Sequence, residues 1–154
     1  MEKTDIFELN KGKCIFCDII KGKSESHMVF EDEISCVFLD HRPLLSGHCL
    51  LVTRQHYETL LNIPPEISGP LFSNTQLLAR AVEQGLDAHG SFTGINTKIS
   101  QSVPHFHIHI VPRWKKDGLF SHKIIWKRQP YKDEETIIDV QSKIKEAIGQ
   151  LLKK

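Results

Sequence analysis

The chain has 154 residues, 40% of them hydrophobic and 25% charged, with a formal net charge of +1. Such a length suits a single domain over residues 1–154, with a core of about 14–114 and a C-terminal loop and helix over 115–154, large enough to bury about two-thirds of the surface the unfolded chain exposes. Bulk charge names no partner, no run of about eighteen apolar residues offers a membrane span, and the first fourteen residues lack the basic start and apolar run of a secretion signal. The expected location is the cytoplasm, where four cysteines serve as thiols or metal ligands rather than disulfides.

In chain order, Cys14 to Ile20 predicts a short helix or turn ended by Lys21-Gly22-Lys23. Met28 to Glu31 and Ile34 to Leu39, separated by the charged turn Asp32-Glu33, predict a hairpin. A connection over Arg42 to Gly47 leads to a buried strand, His48 to Thr53; Cys36 and Cys49 lie in apolar runs as small core residues. Tyr57 to Asn62 reads as helical. From Pro65 to Ala88 the apolar positions Ile67, Leu71, Leu77, Leu78, Ala81, Val82 and Leu86 recur at helical spacing, and Gly90 sits where this long central helix would stop. Phe92 to Thr97 and His105 to Val111 are two further strands joined by the polar segment Lys98 to Val103. Thr136 to Leu152 carries Ile137, Val140, Ile144, Ala147, Ile148 and Leu151 on one face, a C-terminal amphipathic helix. The sum is an α+β domain with a mainly antiparallel sheet and its helices on one side.

Residues 104 to 114 read Pro-His-Phe-His-Ile-His-Ile-Val-Pro-Arg-Trp. Side chains alternate across a strand, so His105, His107 and His109 would project from one face while Phe106, Ile108 and Ile110 bury on the other. Imidazole titrates near neutrality, which makes the row a metal site or a covalent catalyst. A neutral imidazole can displace a leaving group from phosphorus, and the central histidine is best placed to do so. Ser100-Gln101-Ser102-Val103 and Asn96 offer hydroxyls, amides and N–H groups as a phosphate cradle beside it. Separately, Cys14-x-x-Cys17 sets two thiolates one turn apart, as a tetrahedral Zn²⁺ requires; a redox pair or an inert core pair are the alternatives. Zinc would need two more ligands, for which the sequence offers His56 and one strand histidine, with His48 a weaker candidate. His27, His41, His89 and His122 receive no role. Between Arg113 and Lys132 seven basic residues face one acid, Asp117, a local balance of +6 that would draw an anionic substrate.

Gln101 to Arg113 resembles the signature of the histidine triad family of nucleotide hydrolases and transferases, three histidines alternating with apolar residues. Cys14-Ile-Phe-Cys17, Val29 to Glu33, Phe38-Leu-Asp40, Pro43 through His48, and His56 are similar to its zinc-bearing bacterial and archaeal members, related to the Hint and Fhit branches. Beyond Lys115 the likeness is loose. The resemblance implies an α+β homodimer formed through the long helix and the neighbouring strand, with a nucleotide substrate. It implies attack by His107 on the α-phosphorus of a nucleoside phosphoramidate or dinucleoside polyphosphate, giving a nucleotidyl-histidine that water hydrolyses. By the same resemblance His109 donates to a non-bridging phosphate oxygen, Asn96, Gln101 and Ser102 hold phosphate and leaving group, and Asp40 binds the ribose hydroxyls. The implied zinc is structural, on Cys14, Cys17, His56 and His105. Ser100 stands where the family usually has glycine, and Pro104 where it has an apolar or aromatic residue. Three other functions fit the residues: a nucleotide-binding or partner-binding regulator whose hydrolysis is incidental, a catalytic zinc on all three strand histidines, and action on adenylated nucleic acid through Trp114, Trp126 and Tyr131. No separate nucleic-acid module is visible, so nucleic acid is not an expected partner.

Overall fold

The computed structural model describes residues 13–121 and 127–154; residues 1–12, bearing most of the stretch considered above as a leader, and His122, Lys123 and Trp126 of the basic loop lie outside the described residues. Local chemistry sets the element ends. Helix α1 (Ile15–Ile20) begins at Cys14, whose Sγ accepts the Cys17 N–H at 3.4 Å. Strands β1 (Met28–Glu31) and β2 (Ser35–Leu39) form the expected hairpin, its turn held by Asp32, which accepts from the N–H groups of Ile34 at 3.0 Å and Ser35 at 2.8 Å. Strand β3 (Cys49–Thr53) pairs with β2 and with β5 (His107–Arg113), and β5 pairs with β4 (Gly90–Gly94). The resulting antiparallel sheet has the order β1-β2-β3-β5-β4.

Several boundaries differ from the sequence reading. The segment Tyr57 to Asn62 narrows to a 3-10 turn, Leu60–Asn62, capped by Thr59. Helix α2 (Pro65–Leu86) ends at Asp87, which adopts the left-handed conformation at φ 52° and donates its N–H to Glu83 O. That is the place a glycine commonly fills, so Gly90 is the first residue of β4 rather than the stop. Strand β4 ends at Gly94, short of Thr97. Strand β5 begins at His107, not His105, because the β3 pairing runs out at Val52 opposite His107. The N–H groups of His105 and Phe106 turn instead to Val103 O at 2.8 Å and Tyr57 O at 2.6 Å. Helix α3 (Glu134–Leu152) starts on Asp133, whose carboxylate accepts the Thr136 N–H at 2.8 Å.

The sheet divides two apolar layers. Val37, Leu39, Cys49, Leu51, Ile108 and Ile110 pack against α2 and α3. Those helices approach closely at Gly85, where a Cβ would lie 2.6 Å from the Lys143 carbonyl oxygen. On the opposite face Cys36, Phe38, Leu50 and Val52 pack against Phe16 of α1. Helices therefore cover both faces, not one. Phe16, an apolar side chain on a helix capped by Cys14, supplies the second cover that alternation alone could not reveal. In consequence the histidine row is buried: His105, His107 and His109 are only 0%, 4% and 5% exposed. Among the described residues, no helix is long and apolar enough to cross a membrane.

Candidate active site and metal centre

Burial forces each histidine into one hydrogen-bonding role, and the partners reveal which nitrogen carries the proton. His105 Nε2 lies 2.7 Å from Thr53 O; a carbonyl only accepts, so Nε2 is the N–H and Nδ1 presents a lone pair. That lone pair faces Cys14 Sγ at 3.4 Å and Cys17 Sγ at 3.6 Å, while His56 Nδ1 lies 3.3 Å from Cys17 Sγ. All four ligand atoms fall within 4.8 Å of one another. Zinc bonds of about 2.3 Å to sulfur and about 2.0–2.1 Å to nitrogen, at tetrahedral angles, separate S from N by about 3.5 Å. The donors thus already have the spacing of a Cys₂His₂ site, and the Thr53 carbonyl orients His105 as an outer partner orients a metal-bound imidazole. Burial, with Cys14 beside it, pushes the Cys17 thiol up to about 11; a bound cation would relieve that penalty.

His107 Nδ1 lies 2.7 Å from His105 O, so here, opposite to His105, Nδ1 is the N–H and Nε2 retains its lone pair. The loop that holds His105 therefore also holds the acceptor that fixes the His107 ring. Phe16 packs its ring edge-on at 5.1 Å from His107. For His109 the orienting partner is His48, fully buried at the head of β3. The Leu44 N–H donates to His48 Nδ1 at 3.1 Å, leaving the proton on Nε2, which donates to His109 Nδ1 at 2.9 Å. Neutral His109 then carries its own proton on Nε2. His48 is thus placed with the catalytic candidates, away from the cysteines where the sequence offered it as a weaker ligand. Asp40, His48 and His109 also converge within 4.8 Å, but both ring nitrogens of His48 and Nδ1 of His109 are engaged by the hydrogen bond between the two imidazoles and by the Leu44 N–H.

Desolvation dominates the titration. Burial lowers His107, and with the nearby His107 and Arg128 it pushes His109 down to about 4. Both rings are neutral at physiological pH, as a nucleophile and a neutral hydrogen-bond donor require.

These side chains line a cleft of about 820 Å³, shared by Asp40, Ser102, His107 and His109 with the apolar walls Ile15, Phe16, Ile19, Phe38 and Leu50. A second, smaller cavity of about 330 Å³ is lined by Asn96, Ser100, Ser102, His109 and Arg128. Asp40 accepts from the Arg42 N–H at 2.9 Å and from Arg128 Nη1 at 2.9 Å. Gln101 is turned into its own loop, where Oε1 accepts the Lys98 N–H at 2.9 Å and Nε2 donates to Glu58 O at 2.6 Å and Val103 O at 3.1 Å. In that loop Lys98 and Ser100 adopt φ of 66° and 60°, so the position where glycine is usual does demand a left-handed backbone.

A model of the HIT domain matches residues 21–116, more than half of the chain. The chain belongs to the HIT family. It is 32% identical over 124 residues to the adenylylsulfatase HINT3 of Arabidopsis thaliana, covering 79% of this chain and 63% of that protein. It is 35% identical over 107 residues to the adenosine 5'-monophosphoramidase HNT1 of Saccharomyces cerevisiae, covering 69% and 66%. A Zn-bound histidine triad family protein from Mycobacterium smegmatis superposes at a TM-score of 0.78 with 31% identity, over 92% of this chain and 96% of that one. The HIT match encloses His48, His56 and the histidine row, whereas Cys14, Cys17 and Arg128 lie outside it. Two residues of the site escaped the sequence reading of their roles. His48 stands alone in an apolar strand, and only the β3–β5 register sets it beside His109. Arg128 was one of seven basic residues in its segment, and nothing in that run singles it out.

Proposed function

We propose that this HIT protein is a nucleotide hydrolase that cleaves nucleoside phosphoramidates or dinucleoside polyphosphates at the α-phosphorus through a nucleotidyl-histidine on His107. The observation that carries this reading is the pair of fixed tautomers, a lone pair on His107 Nε2 and a proton on His109 Nε2, at one cleft with an apolar end for a nucleoside. The likeness to an adenylylsulfatase and an adenosine 5'-monophosphoramidase supports nucleotide chemistry.

The nucleoside packs between Phe16, Ile19, Phe38 and Leu50, and Asp40 receives the ribose hydroxyls. His107 Nε2 attacks phosphorus, the bond to the leaving group breaks, and His109 Nε2–H stabilises charge on a non-bridging oxygen. Asn96, Ser102 and, through the loop it braces, Gln101 hold phosphate and leaving group. Water then displaces His107 and releases the nucleoside monophosphate. Zinc on Cys14, Cys17, His56 and His105 has a structural part, tying the loop before β5 to α1. The protein pairs as a homodimer through α2 and β4, supported by the position of β4 at the end of the sheet order and by Phe72 of α2 at 69% exposure.

The test is to quench a reaction with a nucleoside phosphoramidate and weigh the protein. Added nucleoside monophosphate mass is expected in the native chain and absent from His107→Ala, with turnover lost. Hydrolysis that survives His107→Ala would overturn the mechanism.

A further inference from the structure

Arg128 brings a guanidinium, paired with the Asp40 carboxylate, to the junction of the two cavities. Nη1 donates to Asp40 Oδ2 at 2.9 Å and to Arg42 O at 2.8 Å. The backbone carrying it is strapped to the 40–47 segment by the Gln129 N–H on Pro43 O at 2.7 Å and by Tyr131 Oη accepting the Gly47 N–H at 2.9 Å. Gly47 can offer that N–H because it takes φ of 92°, where a Cβ would also meet Leu86. The position of the guanidinium is therefore built into the fold.

The smaller cavity differs in chemistry from the nucleoside end of the cleft. Among the described residues its lining is an amide, two hydroxyls, an imidazole and a guanidinium, with no carboxylate beyond the Asp40 that pairs with the guanidinium from the larger cleft and no apolar side chain. Such a set suits a tetrahedral oxyanion. The two kinds of leaving group make different demands on it. When the His107–phosphorus bond forms and the bond to phosphate or sulfate breaks, the electron pair leaves on an oxyanion that needs charge stabilisation and no proton. An amine must instead pick up a proton as it departs. Arginine holds its protons throughout this pH range and so serves the first demand, not the second.

Resting on the proposed reaction at His107 and on the leaving-group end already given to Asn96 and Ser102, we infer that Arg128 completes that end of the site and selects substrates whose leaving group is a phosphate or sulfate oxyanion. Arg128 is then a specificity-determining residue contributed by the part of the chain beyond the matched HIT segment.

The experiment compares kcat/KM for three adenylyl substrates, a diadenosine polyphosphate, adenylyl sulfate and an adenosine phosphoramidate, in the native chain, Arg128→Gln and Arg128→Lys. The ratio of either anionic-leaving-group substrate to the phosphoramidate should fall at least tenfold in Arg128→Gln and recover in part in Arg128→Lys. The polyphosphate and sulfate arms separate the two sources of the oxyanion: a ratio that falls for one alone identifies that anion as the one the subsite takes. Inorganic pyrophosphate should inhibit phosphoramidate hydrolysis competitively in the native chain, a measurement independent of whether the variants fold. Parallel losses on all three substrates, or no inhibition by millimolar pyrophosphate, would overturn the assignment while leaving the His107 reaction intact. Native protein that turns over none of the three would overturn the underlying reaction and the assignment together.

Discussion

His48 is the residue whose removal best separates orientation from architecture, because its two ring nitrogens do different work. Nδ1 accepts the buried Leu44 N–H at 3.1 Å, a contact within the turn, and Nε2–H donates to His109 Nδ1 at 2.9 Å, a contact with the site. Asparagine places an acceptor near the Nδ1 position and nothing near Nε2; glutamine can place a donor near Nε2 and nothing near Nδ1. His48→Asn should keep the turn and unlock His109, while His48→Gln should do the reverse. A buried hydrogen bond left half-made costs about 1–3 kcal/mol. If about 1–2 kcal/mol of that appears as lost orientation of the proton on His109 Nε2, kcat falls roughly five- to thirtyfold, with KM little changed because His48 touches no substrate. His48→Gln should instead lose stability by about 1–3 kcal/mol, read as a Tm lowered by several degrees for a chain of this size, and retain more of kcat. Steady-state kinetics on a phosphoramidate, paired with thermal melts of both variants, give the comparison. If His48→Asn melts lower than His48→Gln yet keeps full kcat, the proton assignment through His48 is wrong.

Other expectations follow from the same geometry. Burial holds His109 near 4 against 6.5 for a free imidazole, so the unfolded chain takes up a proton between those values while the folded chain does not. Stability is therefore full above about pH 6.5 and declines as pH falls toward 4, and the acid limb of kcat/KM should lie well below 6.5, checked by a pH–rate profile with circular dichroism at each point; a midpoint at 6.5 or above contradicts the burial argument. Ser100→Gly should stabilise by about 0.5–1 kcal/mol, since a left-handed non-glycine residue costs about 1–2 kcal/mol and glycine gives back about 0.5–1 kcal/mol in unfolded-state entropy; a lower Tm refutes it. Cys17→Ser should abolish stoichiometric zinc in metal analysis. For the native chain at free zinc a hundredfold above Kd, binding adds about 2.7 kcal/mol, so chelation should lower Tm by about 5–10 °C; an unchanged Tm after zinc is stripped removes the structural part assigned to the metal.

The sequence by itself determined the class of the fold, the histidine row with its candidate nucleophile, and the Cys-x-x-Cys pair; which histidines stand beside those thiols came from the resemblance and from the structure. Those signals are local in spacing: alternation at every second residue, Cys-x-x-Cys, and helical periodicity over α2 and α3. Even the left-handed demand at Ser100 could be suspected from the glycine it replaces. Some element ends slipped because they are governed by partners distant in the chain, others because a non-glycine residue takes a cap conformation. Strand β5 starts at His107 because β3 stops opposite it, and α2 ends on Asp87, which no glycine rule anticipates. Tertiary structure alone decided that α1 closes the histidine face. Burial then fixes the tautomers of His105, His107 and His109 and favours their neutral forms. It alone also set His48 against His109, 61 residues apart, and Arg128 against Asp40, 88 residues apart. Periodicity tells which face a side chain takes; what stands opposite that face is set by sheet register and by the path of the returning chain.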